Sequence, residues 1–167
     1  SPYDKNYNMY SYIIDELPSV IENHFDFDMS RQSIFGHSMG GHGAIVMALR
    51  NPKKFKSCSA FAPIVEPSSA SWSSEAFKKF IGLDQSNWQK YDSVALVKNG
   101  YYFPEILVDQ GDADSFLEEG LRPWLLEDAC NNKNINLKLR MQPNYDHSYY
   151  FISTFMADHL IWHRERI

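Results

Sequence analysis

Between residues 8 and 25 the apolar side chains Met9, Tyr10, Ile13, Ile14, Leu17, Val20 and Ile21 recur every three or four positions, which predicts a helix with one buried face. Pro18 falls inside that run and predicts a kink or a restart, because its ring removes an amide donor. A polar turn over 26–30 ends the helical period. Residues 31–35 then read as a strand closing on Ile34-Phe35, and 41–50 as a helix stopped by Asn51-Pro52. Residues 57–63 form a short buried strand of small side chains, expected beside the first in a parallel sheet. The pattern weakens over 64–100, where 67–72 is loop-like and short helices are expected at 74–81 and 86–91. Such an insertion between strand and helix is where folds of this kind build a substrate pocket. Its aromatic residues Trp72, Phe77, Phe80, Trp88 and Tyr91 are expected mainly in the core. Residues 104–109 give a clear strand, 116–129 a helix, 135–141 an alternating edge strand, and a last helix runs to about 166. Strand and helix alternate as in an α/β fold, and 167 residues suit one domain, 1–167.

Candidate chemistry enters at the end of the first strand. Gly36-His37-Ser38-Met39-Gly40 fits G-x-S-x-G, the sharp turn that lifts a nucleophilic serine above a parallel sheet, and it stands between a predicted strand and helix as that motif requires. The turn is strained, and side chains two residues before and after the serine are expected to collide with it, hence Gly36 and Gly40. Met39, opening the next helix, places a backbone N–H where an oxyanion would form.

Two further polar clusters follow at the ends of later strands: Asp109, Asp112 and Asp114, then His147. Open α/β sheets carry their active sites at that edge, and the order Ser, acid, His is that of α/β-hydrolases. A serine hydroxyl needs an imidazole to take its proton and a carboxylate to orient that imidazole. Ser38, His147 and an acid of the 109–114 turn fill those roles. Asp114, three residues past Gly111, is favoured for its reach over Asp112 and Asp109, and Asp109 at the strand end is better suited to holding the turn. His37 and His42 flank the serine, where packing and local hydrogen bonds are the plainer roles. His24, His159 and His163 sit on predicted helices and are expected at the surface. A zinc reading of His37, His42 and His147 fails for want of a helical i, i+4 pair among them or a cysteine cluster at ligand spacing.

Composition narrows the partners. A net charge of −5 with sixteen scattered Lys and Arg argues against nucleic acid or an anionic membrane surface. No run approaches the roughly 18 apolar residues of a membrane helix. The two cysteines, Cys58 and Cys130, are expected as reduced thiols in a cytoplasmic protein.

Taken together, these stretches resemble the S-formylglutathione hydrolases, also called esterase D. The resemblance runs through Tyr10-Ser11-Tyr12 with Glu16-Leu17-Pro18, through 36–44 around Ser38, and through Ser59-Ala60-Phe61-Ala62-Pro63-Ile64, 109–117 and 145–151. By position it puts the nucleophile on Ser38, the acid on Asp114 and the base on His147. It implies a cofactor-free, commonly homodimeric cytoplasmic thioesterase that converts S-formylglutathione to formate and glutathione in formaldehyde detoxification. Trp72 in the insertion and His37 beside the serine are then candidate substrate-pocket residues. Glu75 stands where the family usually has lysine, and a carboxylate facing the site would weaken binding of an anionic glutathione moiety. Relatives also carry an N-terminal stretch that supplies the first strands and a second oxyanion N–H. These residues are therefore expected to be the C-terminal portion of an α/β-hydrolase domain, needing the N-terminal half of that domain. The rival readings are a broad carboxylesterase with the same triad, and a catalytically silent fragment acting through an open sheet edge.

Overall fold

The computed structural model describes residue 3 and residues 5–167; Ser1, Pro2 and Asp4 lie outside the described residues. Helices α1 (Met9–Ser11) and α2 (Leu17–His24) are joined through a π-helical stretch, Tyr12–Glu16, into one run. Pro18 is accommodated in the first turn of α2, where its missing N–H matters least. The expected kink is thus taken up as a local widening of the helix. Then follow β1 (Gln32–His37), α3 (Met39–Arg50), β2 (Phe55–Phe61), α4 (Ser71–Phe80), a 3₁₀ stretch (Gln85–Tyr91) and α5 (Ser93–Lys98). The chain continues through β3 (Glu105–Gly111), a π-helical turn (Leu117–Leu121), α6 (Trp124–Asn131), β4 (Asn136–Gln142) and α7 (Tyr149–Arg164).

All four strands are parallel, in the order β1-β2-β3-β4. This is the sheet and helix arrangement of an α/β-hydrolase fold. The central strands β2 and β3 are buried on both faces, whereas β4 alternates as an edge strand should. Because strand side chains alternate, Cys58, Ala60, Ile106 and Val108 face one way and join Ile45, Leu49, Val94, Val97, Leu126 and Ala129 of α3, α5 and α6 in the main apolar core.

The opposite face, under α7, is built differently. There His163 bridges Ser57 Oγ at 2.7 Å and Ser59 Oγ at 2.8 Å, and His159 bridges Ser59 Oγ at 2.8 Å and Asp109 Oδ2 at 3.2 Å. Ser57 Oγ also meets Ser33 Oγ of β1 at 2.7 Å. Asp109 is held from β4 by the forked guanidinium of Arg140, through Nε at 2.6 Å and Nη2 at 2.5 Å, and Arg140 reaches on to Asp158 of α7 at 2.8 Å. A polar seam therefore crosses all four strands. His159 and His163, expected at the surface, are both buried in it. They lie one turn apart on α7, so they share a face, and helical position alone did not show that this face is the inner one. Asp109 likewise ties strands and α7 together instead of its own turn.

Two other expectations change. The helix expected over 116–129 is broken at Arg122, whose φ of 46° is left-handed, and Pro123, so only Trp124–Asn131 continues as α6. The weak stretch before residue 100 holds an additional helix, α5, capped by Asp92, which accepts from the Ala95 N–H.

Burial pushes the imidazoles of His42 and, aided by the charges of His159 and Arg166, His163 down to about 4. Between about 4 and the ordinary 6.5 the unfolded chain binds protons that the folded chain refuses. Stability is therefore full above 6.5 and falls as pH drops through that window, by roughly 3 kcal/mol per fully shifted histidine. Urea unfolding midpoints measured at pH 7 and pH 5 should show a marked loss at pH 5; equal midpoints would mean that these histidines titrate normally.

Candidate active site

Ser38 lies between β1 and α3 with φ 58° and ψ −116°, a conformation that non-glycine residues rarely adopt. Three backbone contacts hold it. Its N–H donates to Phe61 O of β2 at 2.9 Å, and its carbonyl accepts from His42 N at 2.9 Å and Ile64 N at 3.5 Å. A Cβ on Gly36 would stand 2.4 Å from the carbonyl carbon and oxygen of Gly40, so only glycine fits there. The companion expectation for Gly40 is not met: a Cβ there would have open space. The tight second position is Gly41, where a Cβ would lie 3.1 Å from Gly36 O and 3.2 Å from Phe61 O. The helix leaves the turn so steeply that it is the third residue after Ser38, not the second, that packs against the strands.

Met39 opens α3, which puts its N–H at the positive end of a twelve-residue helix, while its side chain is largely exposed. His42 on the first turn of α3 is half-buried, with a buried, unpartnered Nδ1 and its ring 6.3 Å from that of Phe77.

The second cluster sits on the loop after β3. Asp114 is buried, and His147 Nδ1 lies 2.6 Å from its Oδ2. Its Oδ1 accepts from the Phe116 N–H at 2.9 Å. Burial works to raise the Asp114 carboxyl, yet the hydrogen bonds from His147, Phe116 and Gln110 outweigh it and hold the group below the usual carboxylate range. Of the two alternatives, Asp112 accepts from the Asn144 N–H at 2.7 Å and so joins the loops after β3 and β4, and Asp109 belongs to the seam under α7. Neither is hydrogen-bonded to His147.

His147 packs against His37, the residue before the serine, and against Phe116. The His37 ring lies 4.4 Å from it, centre to centre, and the Phe116 ring meets it edge-on at 5.2 Å. Burial and the neighbouring His147 push the His37 imidazole below its ordinary value, with Asp114 opposing. Ser38 Oγ forms no hydrogen bond to His147 in this structure, a looseness common in sites without substrate. Trp72 packs on the turn that follows the acid loop: a Cβ on Gly120 would stand 2.6 Å from its ring. Ser38, Met39, His37, Asp114 and His147 thus gather at one sheet edge, with Trp72 reaching the same loop from α4. Phe116 and Gln110 were not foreseen; the signal for Gln110 was an amide inside the apolar strand Ile106-Leu107-Val108-Asp109-Gln110.

A nucleophile-elbow turn facing a carboxylate–imidazole pair is equipment for acyl transfer. A family model described as "Putative esterase" matches residues 1–162. The chain belongs to this esterase family. It is 51% identical over 165 residues to the S-formylglutathione hydrolase of Mus musculus, covering 97% of this chain and 58% of that protein. It is likewise 51% identical over 161 residues to the enzyme of that name from Bos taurus, covering 95% and 57%. The solved structure of an S-formylglutathione hydrolase from Agrobacterium tumefaciens superposes with a TM-score of 0.97 at 63% identity, over 99% of this chain and 60% of that one. The chain therefore spans under two thirds of the length of these esterases.

The steric contrast at the elbow is open to test. Gly36→Ala should destabilise the fold by about 3 kcal/mol or more, since backbone must move to admit the methyl. Gly40→Ala should lie within about 1 kcal/mol of the parent. Thermal melting of both variants checks the pair, and equal losses would contradict the geometry.

Proposed function

We propose that the protein is a serine thioesterase that hydrolyses S-formylglutathione to formate and glutathione. The observation that carries this reading is the 2.6 Å bond between His147 Nδ1 and Asp114, set beside a serine held in the strained turn of a nucleophile elbow. The substrate follows from the similarity to S-formylglutathione hydrolases.

In this reading Ser38 Oγ attacks the thioester carbonyl carbon while His147 Nε2 takes the hydroxyl proton, and Asp114 stabilises the imidazolium. The oxyanion faces the Met39 N–H. Collapse breaks the carbon–sulfur bond, and the glutathione thiolate leaves with the proton from His147. Water, deprotonated by His147, then attacks the formyl-serine, and formate departs as Ser38 recovers its proton. His37 and Trp72 line the approach to the serine. Glu75 does not oppose an anionic substrate strongly, because it is exposed on α4 and paired with Lys78. That pairing favours the thioesterase over the broad carboxylesterase with the same triad. The reading carries with it a single cofactor-free domain, a homodimer, a cytoplasmic setting and further strands of the same domain against the free edge of β1. No helix among the described residues is long and apolar enough to cross a membrane, and Cys58 and Cys130 are free and buried.

A fluorophosphonate should leave one adduct, on Ser38, seen by intact mass and peptide mapping. Ser38→Ala and His147→Ala should each lower kcat at least about 10³-fold. Turnover of S-formylglutathione should exceed that of an aryl acetate; the reverse order would point to the carboxylesterase, and an absent adduct would remove the hydrolase reading.

A further inference from the structure

Gln110 is the penultimate residue of β3 and is fully buried. A buried amide should have its hydrogen bonds satisfied, and this one does so on one side only. Its Nε2 donates to Gly111 O at 3.0 Å and to Asp114 Oδ2 at 3.2 Å. Its Oε1 is buried without a partner. An apolar side chain of similar volume would avoid that unpaired oxygen, so stability alone does not account for the residue. What the amide does is reach the same carboxylate oxygen that binds His147 Nδ1. Asp114 thereby receives three donors: Phe116 N on Oδ1, and His147 Nδ1 and Gln110 Nε2 on Oδ2.

With one donor on Oδ1 and two on Oδ2, rotation of the carboxylate breaks bonds on both sides. The loop that carries it has little freedom to compensate. A Cβ on Gly111 would stand 2.2 Å from Tyr145 O, and Ala113 N donates to that same carbonyl at 3.0 Å. The acid loop is thus wedged against the loop bearing His147, and the orientation of the carboxylate is the remaining variable. Two roles for the amide can be separated: a tie to Gly111 O that merely closes the strand end, and a grip on Asp114.

We infer that Gln110 is a positioning residue, acting through Asp114 to hold the carboxylate in the plane that keeps its bond to His147 Nδ1 and leaves His147 Nε2 directed at the nucleophile. The inference rests on the hydrolase reading for its kinetic consequence, but not for its structural one. Gln110 touches neither the substrate nor the serine. Its effect belongs in kcat, not in KM.

The test is Gln110→Met, which keeps the volume and removes the donor, together with Gln110→Glu, which keeps the shape and sets a carboxyl against Asp114. For Gln110→Met, kcat should fall between about tenfold and a hundredfold with KM within about twofold, as expected of a small misplacement of a reacting group. The acid limb of the pH profile should move to higher pH, because Asp114 has lost a donor that favours its ionised carboxylate. Combined with Asp114→Asn, the second change should add nothing, since its path has already been cut. Independently of activity, the downfield proton resonance of His147 Nδ1–H should shift and broaden in both Gln110 variants. If melting temperature falls while kcat, pH profile and that resonance keep their parent values, Gln110 is only a strand-end tie and the inference is overturned. Additive losses in the double variant would overturn it as well. Failure of the hydrolase reading shows separately, as a missing Ser38 adduct on the unaltered protein, and the resonance then still decides the role of Gln110.

Discussion

The structure depends on one unfavourable backbone conformation, that of Ser38. Holding a serine at positive φ costs on the order of 1–3 kcal/mol and persists only where the surroundings over-determine it. Here the surroundings are a continuation of the sheet. Ser38 N bonds Phe61 O just past β1, Ala62 N bonds Asp109 O just past β2, and Asp112 N bonds Gln142 O just past β3. Each strand hands its neighbour one more backbone bond after its own end. The turn carrying the serine, the loop carrying Asp114 and the loop carrying His147 are thereby referenced to a common ladder. The relative placement of these three loops is set by backbone before any side chain is placed.

The two faces of that sheet divide the work. Toward α3, α5 and α6 the packing is apolar, non-directional and tolerant in detail. Toward α7 it is a chain of directional bonds among Ser33, Ser57, Ser59, His159, His163, Asp109, Arg140 and Asp158. Such networks are a weak source of stability, because charges and imidazoles must be desolvated, but they admit few alternative registers. The Phe61 ring, stacked on His159 with centroids 3.7 Å apart, joins this face to the small apolar cluster of Ala62, Ile64, Leu121 and Phe151 beneath the site.

The fold class, the parallel pairing of β1 with β2 and the edge position of β4 were legible, and Ser38, Asp114 and His147 could be put forward together, because each rests on a local pattern: an apolar run, a glycine turn, a polar cluster at a strand end. What escaped was set by tertiary context. The inward face of α7 could not be read from His159 and His163, since a helix carrying Phe151, Trp162, Leu160 and Ile161 around its circumference does not declare which side is buried. The break at Arg122 was invisible because a left-handed arginine has no sequence marker beyond the proline that follows it. Gln110 and the exchange of roles between Gly40 and Gly41 required distances that spacing alone does not supply.

The segment between β2 and β3 leaves the sheet at one strand and returns at the very next. Its helix α4 carries Trp72 and Glu75, and neither α4 nor α5 contributes a bond to the ladder that aligns the three loops bearing Ser38, Asp114 and His147. A lineage can therefore lengthen, shorten or recharge this stretch while the chemistry beneath stays aligned. Change in this segment and change in the three strand-end loops thus fall on separable parts of the chain, and the exposed Glu75, paired with Lys78, lies in the part that can vary without disturbing the ladder.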